Sequence, residues 1–328
     1  MTRRRGLLAW AGAGLLGARA EAAHEGGGRW PSRPIRLIVV YPPGGVSDGM
    51  ARFIAEPLSR ALGVPVVVDN RPGAGGGVGM ALLARAAPDG HTLAFSAITP
   101  LTLAPFVSPV PYEPEHAFAP VCAVMRTPVL VVGTPALPAQ DFAQMLALAR
   151  RAPGTLRWAT TGVATTGHLV LVQTRALAQV DIVHVPYQGG GAQLRDALGG
   201  QFELLSTNVA GPQLRYVESG RLQALAVGAP GRLAALPRVP TLGELGLPGA
   251  NLHSLFGIFA PARTAPAVVQ RLNAEINRVM ASAPLRARLR EAFNLPAPGT
   301  PGDFAREIAL DRERNRALAA AALHQLAD

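Results

Sequence analysis

Tyr41-Pro42-Pro43-Gly44-Gly45-Val46-Ser47-Asp48 brings together residue types that suit the capture of an anion. Residues 37–40 just before it are Leu, Ile, Val and Val, a continuously apolar run that fits a strand buried on both faces. After it, Met50, Phe53, Ile54, Leu58 and Leu62 keep helical spacing and predict a helix over 50–62. The Pro-Pro-Gly-Gly segment cannot continue the strand, and its glycines let the backbone approach a ligand without Cβ obstruction. Ser47 or Asp48 stands where an N-cap would. A strand, a glycine turn and a helix start leave free N–H groups and the positive end of the helix dipole facing whatever enters. The same residues also satisfy an ordinary strand-to-helix connection. They contain a catalytic alternative as well, because Gly45-Val46-Ser47-Asp48-Gly49 fits G-x-S-x-G, the nucleophile elbow of a secreted serine hydrolase using Ser47. Against the elbow, Pro42, Pro43 and Gly44 separate the strand from the serine, and neither the upstream sheet nor the oxyanion loop of that fold precedes it.

A second loop repeats the logic. Thr161-Gly162-Val163-Ala164-Thr165-Thr166-Gly167 joins a predicted strand at 156–160 to a helix at 168–178 that opens on His168. Ser96 and Thr99 follow a third strand at 91–97, where small hydroxylated residues at a strand's carboxyl end suit a ligand crevice. The glycines at 73, 77 and 79 match the spacing of a dehydrogenase loop and lie between a strand and a helix. All 31 basic residues are arginine, however, so the chain has no catalytic or phosphate-binding lysine. That absence excludes a P-loop, a lysine Schiff base and a Tyr-x-x-x-Lys reductase. No acidic residue closes the next strand either, so no cofactor is expected and these glycines read as close packing. The seven histidines lack ligand spacing, and Cys122, alone in the apolar run 121–132, can form no internal disulfide. No metal and no catalytic residue is expected.

The elements that must position these loops alternate. Strands at 33–40, 64–69, 91–97, 156–160, 181–185, 202–206 and 222–227 are interleaved with helices at 50–62, 80–86, 141–151, 168–178, 193–198 and 213–219. Such alternation predicts parallel sheets with right-handed crossovers. Pro57 should bend the first helix. Residues 100–120 read as Pro-rich and irregular, and 121–132 as one strand long enough to run from one domain into another. A further strand at 255–259 precedes helices at 265–282, 285–293 and 301–326.

At 328 residues the chain suits two domains. Residues 1–20 carry an Arg-rich start, a short apolar run and the Ala18-Arg19-Ala20 cleavage site of a signal peptide, with the Arg pair resembling a twin-arginine signal. That run is far short of the roughly 20 residues a membrane span needs. Removing it lowers the formal charge from +10 to +6, with the arginines scattered, which argues against nucleic-acid binding.

These motifs stand in a familiar order. Trp30-Pro31-Ser32-Arg33-Pro34-Ile35-Arg36, the Pro-Pro-Gly-Gly loop with Asp48-Gly49-Met50-Ala51-Arg52, and Val66-Val67-Val68-Asp69-Asn70-Arg71-Pro72-Gly73 resemble the tripartite tricarboxylate transporter receptors, the Bug-type periplasmic solute-binding proteins. So do Ala87-Pro88-Asp89-Gly90-His91-Thr92-Leu93, Val183-His184-Val185-Pro186-Tyr187-Gln188-Gly189 and Val239-Pro240-Thr241-Leu242-Gly243-Glu244. The resemblance implies an α/β, two-lobed periplasmic binding protein of the type II, flytrap-like kind, each lobe a mostly parallel sheet flanked by helices. After a spacer at 21–32, lobe one would comprise 33–126 and 252–328, and lobe two 127–251. Carried over by position, Tyr41 with Gly45, Val46, Ser47 and Asp48, then Ser96 and Thr99, would line the ligand from lobe one. Thr161, Thr165, Thr166, Gly167, His168 and Asn208 would do so from lobe two. The implied ligand is a small organic acid or amino acid, and Asp48 would cap its helix, act through water or meet an amine. The implied partners are membrane components of a carboxylate transporter or a sensor, and the receptor is expected as a periplasmic monomer. Two positions depart from the family, which often has Asp where Thr207 stands and Trp where Leu255 stands. Both lie near the cleft in the family.

Overall fold

The structure is a computed structural model that describes residues 30–326, with side chains through 320. The signal peptide expected at 1–20, and most of the spacer, lie outside the described residues.

β1 (Ile35–Val39) is buried at every residue but Arg36, as its apolar run requires. It feeds α1 (Val46–Leu62), whose Met50, Ile54, Leu58 and Leu62 form a buried stripe. The helix continues through Pro57 and ends at Gly63, which takes the left-handed conformation (φ 73°) and donates its N–H to Ser59 O. β2 (Val66–Asn70), α2 (Gly77–Ala84) and β3 (Thr92–Ala97) follow. β1 pairs in parallel with β2 on one side and β3 on the other. The stretch expected to be irregular holds two single-turn helices, α3 (Thr99–Thr102) and α4 (Ala104–Val107), each too short to show a period. β4 (Phe118–Gly133) is the expected long strand, at 16 residues.

The second run of elements begins with α5 (Phe142–Arg151), capped by Asp141, whose carboxylate accepts from Gln144 N–H at 2.8 Å. Then come β5 (Arg157–Thr160), α6 (Thr166–Ala178), β6 (Val183–Pro186), α7 (Gly190–Leu198), β7 (Leu204–Asn208), α8 (Gly211–Glu218) and β8 (Gln223–Gly228). β5 lies parallel to both β6 and β7. β8 departs from the parallel alternation: it pairs antiparallel with β4, as β7 does. A strand's direction is set by the neighbour it joins, and β4 arrives from the other sheet running the opposite way. The chain closes with β9 (His253–Pro261), α9 (Pro266–Ala281), α10 (Ala283–Glu291), the two-residue β10 (Leu295–Pro296) and α11 (Pro301–Leu326).

The hydrogen-bonded order is β2-β1-β3-β9-β4 and then β4-β7-β5-β6, with β8 and β10 also on β4. β4 therefore belongs to two sheets. From Phe118 to Pro128 it pairs with β9, and from Val129 to Gly133 with β7 and β8. Behind the first sheet, Ile38, Phe259 and Phe304 share one core. Trp158, Phe142 and Val170 fill one face of the second sheet, and Leu130, Phe202 and Leu214 the other. The first core depends on Gly257, where a Cβ would stand 2.3 Å from Phe304 Cζ. Any side chain there would push α11 off the sheet.

Candidate functional site

Between the carboxyl ends of the parallel strands of both sheets lies a cavity of about 300 Å³. Four helices of eight residues or more begin at its wall, α1 from the first sheet and α6, α7 and α8 from the second. The first three N–H groups of a helix have no partner inside it. At α6 the cap is Thr165, whose hydroxyl accepts from His168 N–H at 3.3 Å. The caps of α1, α7 and α8 are Gly45, Gly189 and Ala210, and none supplies a side-chain hydrogen bond. Those turns face the cavity with their N–H groups uncapped. No residue of the lining carries a formal charge, so the helix ends supply its electrostatics.

Of the residues singled out from the sequence, Tyr41, Gly45, Val46, Ser47 and Thr99 line this cavity, as do Thr161, Thr165, Thr166, Gly167 and Asn208. Asp48, Ser96 and His168 do not. Asp48 and Ser47 also fail to cap α1, because the helix already begins at Val46, with Gly45 as its cap. Asp48, in the first turn, instead turns back and holds the loop. One carboxylate oxygen accepts from Gly44 N–H at 2.9 Å, and the other from Arg52 Nε at 3.0 Å and Asn70 Nδ2 at 2.9 Å. Although burial opposes it, these bonds hold the Asp48 carboxyl below its usual range. Ser96 is fully buried at the strand end, where its Oγ donates to Ala97 O at 2.7 Å.

His168 is fully buried behind its loop. Its Nδ1 accepts the Ala164 N–H at 3.2 Å, which braces a left-handed, non-glycine residue (φ 57°). Its ring stacks on His184 at 4.3 Å, and His184 in turn meets the Thr160 hydroxyl at 2.8 Å. Burial first, then His184 and Arg175, push His168 down to about 3; burial and Arg175 push His184 down to about 4. Both rings are neutral at pH 7. Neither is hydrogen-bonded to Ser47, which lies within the first turn of α1 and not on a strand-to-helix elbow.

Tyr41 is held from behind. Its hydroxyl is within reach of Ala97, Ser96 and Thr99, and burial pushes it up to about 12, so it stays protonated. Its ring meets Phe256 edge-on at 6.1 Å, and Phe256 stacks on Phe95 at 6.0 Å. Phe256 and Ser254 enter the cavity from one face of β9. Leu255 points the other way and lines a second cavity of about 190 Å³, beside the Arg126–Glu307 ion pair at 2.7 Å. Of the two departures from the family pattern, then, Thr207 lines the main cavity and Leu255 does not.

Sequence reading missed the third and fourth helix starts, Gly189-Gly190-Gly191 and Ala210-Gly211-Pro212-Gln213. A signal was present for the third, because Gln188-Gly189-Gly190-Gly191 follows a strand and opens a helix as the first two loops do. The rims of the two sheets meet through glycine. A Cβ on Gly189 (φ 113°) would stand 2.7 Å from Pro42 Cγ, and one on Gly75 (φ 60°) 2.7 Å from Val163 O. Among the described residues no group of three His, Cys, Asp or Glu is placed to hold a metal ion.

Two α/β halves joined through shared strands, with helix starts facing a cavity between them, are the architecture of the periplasmic binding proteins. Within that class the chain belongs to the tripartite tricarboxylate transporter family receptors, whose family model matches residues 50–319. It is 37% identical over 87% of its length to a protein from the tcbD-tcbE intergenic region of a Pseudomonas species, covering 85% of that protein. It is 35% identical to protein BugT of Bordetella pertussis, over 83% of this chain and 84% of that one. Among solved structures, an R. palustris protein with adipate superposes with a TM-score of 0.83 at 31% identity, over 89% of this chain and 98% of that one. MatC of Rhodopseudomonas palustris with bound malate gives 0.81 at 28% identity, over 87% and 98%.

Proposed function

We propose that this chain is a periplasmic solute receptor that captures a small carboxylate between two lobes and presents it to membrane components for uptake or sensing. The observation that carries this reading is the uncharged cavity on which four helix starts converge from both sheets. A carboxylate entering it replaces its water shell with oriented N–H groups, without the cost of burying a counter-ion. The adipate and malate held by related structures support the same ligand class.

Residues 33–126 with 252–328 form one lobe, and residues 127–251 the other. The hinge lies where β4 passes between the sheets at Thr127 and Pro128 and β9 returns at His253 and Ser254. The first lobe contributes Tyr41, Gly45, Val46, Ser47 and Thr99. The second contributes Thr161, Thr165, Thr166, Gly167 and Asn208. Only the closed form brings both sets to one ligand, so ligand shifts the population toward closure.

Thermal melting and calorimetry of the purified protein with succinate, malate, adipate and citrate test this. At least one should bind and raise the melting temperature, with no turnover of a nitrophenyl ester. If none binds, the receptor reading fails; ester cleavage lost in Ser47→Ala would replace it with a hydrolase.

A further inference from the structure

We propose that the cavity of about 190 Å³ behind β9 is a second ligand site, suited to a small zwitterion of the neutral α-amino acid kind. β9 divides it from the main cavity: Ser254 and Phe256 face one side, His253 and Leu255 the other. Thr99 and Thr166 touch both, so the two cavities adjoin without merging. The site is independent of what the main cavity binds.

The residue that calls for a ligand is Asn315, on α11. It is 2% exposed, and its Nδ2 donates to Asp311 Oδ2 at 3.0 Å and to Thr102 Oγ1 at 3.3 Å. A carboxylate only accepts, so the amide is fixed with its nitrogen toward Asp311. That leaves Oδ1 buried on the cavity wall without a donor. Such an acceptor is costly to leave unpaired, and an N–H group carried in by a ligand would satisfy it.

The charges of the lining choose the ligand. Arg126 and Glu307 answer each other at 2.7 Å. Arg314 stands 3.6 Å from Asp311, beyond hydrogen-bond reach, and keeps its donors for an incoming carboxylate. Burial first, then Arg126 and Arg314, push His253 down, ahead of the opposing pull of Asp311 and Glu307. The field at the imidazole is therefore positive, whereas the Asn315–Asp311 end offers acceptors. A bare cation meets the arginines, and a bare anion meets the acceptors; a zwitterion places an ammonium on Asn315 Oδ1 and Asp311 and a carboxylate toward Arg314 and His253. Ile98, Leu169 and Leu255, all buried, complete the wall and suit an aliphatic side chain.

Calorimetric titration of the purified protein with L-leucine tests the site. L-Leucine should bind, and neither 3-methylbutylamine nor 4-methylpentanoate, each with one of its two charges, should displace it at equal concentration. Arg314→Ala, at a half-exposed position, should weaken L-leucine about tenfold or more, and Leu255→Trp, which fills the cavity, should abolish its binding. Gln213→Ala, on the wall of the main cavity alone, should leave it unchanged. Displacement by either single-charge analogue overturns the zwitterion. Absence of L-leucine binding, or binding untouched by Arg314→Ala, overturns the second site. Loss of binding in Gln213→Ala overturns it as well, by placing the amino acid in the main cavity, and leaves the receptor reading standing.

Discussion

Two imidazoles packed face to face at 4.3 Å, both out of solvent, can carry a proton only at a high cost. The folded values of about 3 for His168 and about 4 for His184 lie below the ordinary 6.5. Between those values the unfolded chain binds protons that the folded chain refuses. The stabilisation is therefore fully present above pH 6.5 and is lost as the pH falls. Urea unfolding from about pH 7.5 to about pH 5 should show a loss of roughly 2 kcal/mol for each ring. His184→Gln should remove about half of that pH dependence; an unchanged slope would mean that the stack is not the proton-refusing group. Ala164 N–H depends on the neutral His168 Nδ1, so ligand affinity should fall over the same acid range. Asp48 acts in the same sense at a lower pH. Its contribution is present above its unfolded value of 3.8 and disappears in acid. Asp48→Ala leaves Gly44 N–H, Arg52 and Asn70 without their acceptor and should cost about 1–3 kcal/mol in urea unfolding at neutral pH.

Among the elements, α6 and α7 meet the cavity differently. α6 is capped by Thr165, so Thr165→Ala should lower stability by about 1 kcal/mol, measured by urea unfolding, and weaken binding through the frayed first turn. α7 starts on Gly189, whose missing Cβ is what lets the rim close against Pro42. Gly189→Ala should disfavour closure, and a shift of about 1.4 kcal/mol against the closed form lowers affinity tenfold. Calorimetry reads that loss, and small-angle scattering should show a ligand-saturated protein larger than the native one.

The elements were largely legible because their apolar periods are clear, as in Met50, Ile54, Leu58 and Leu62 of α1. The two Gly/Thr loops were legible because a strand, a small-residue turn and a helix start form a local pattern. What could not be read was which way a side chain faces. Asp48 and His168 stand at helix starts beside the cleft, yet backbone donors inside the loops claim both. Phe256 enters the cavity and Leu255 leaves it because β9 alternates, and nothing local says which parity faces the cleft. β8 could not be assigned its direction because its partner, β4, lies about ninety residues away in sequence.

For the molecule as a whole, ligand and core stability are linked. Ligand at a hundred times its dissociation constant should add about 2.7 kcal/mol to unfolding, visible as a single shifted melting transition. Phe304→Ala, on α11 and outside the cavity lining, should cost about 3–5 kcal/mol, because the ring fills the space above Gly257.

β4 gives the molecule one more property. Its 16 residues thread both sheets, and its backbone amides are bonded to β9 over one half and to β7 and β8 over the other. Neither sheet can be taken apart without exposing the same ribbon, so hydrogen–deuterium exchange should find the slowest protons of both halves along Phe118–Gly133. A chain cut within that ribbon should yield two pieces that are each unfolded alone and that regain protection only when mixed.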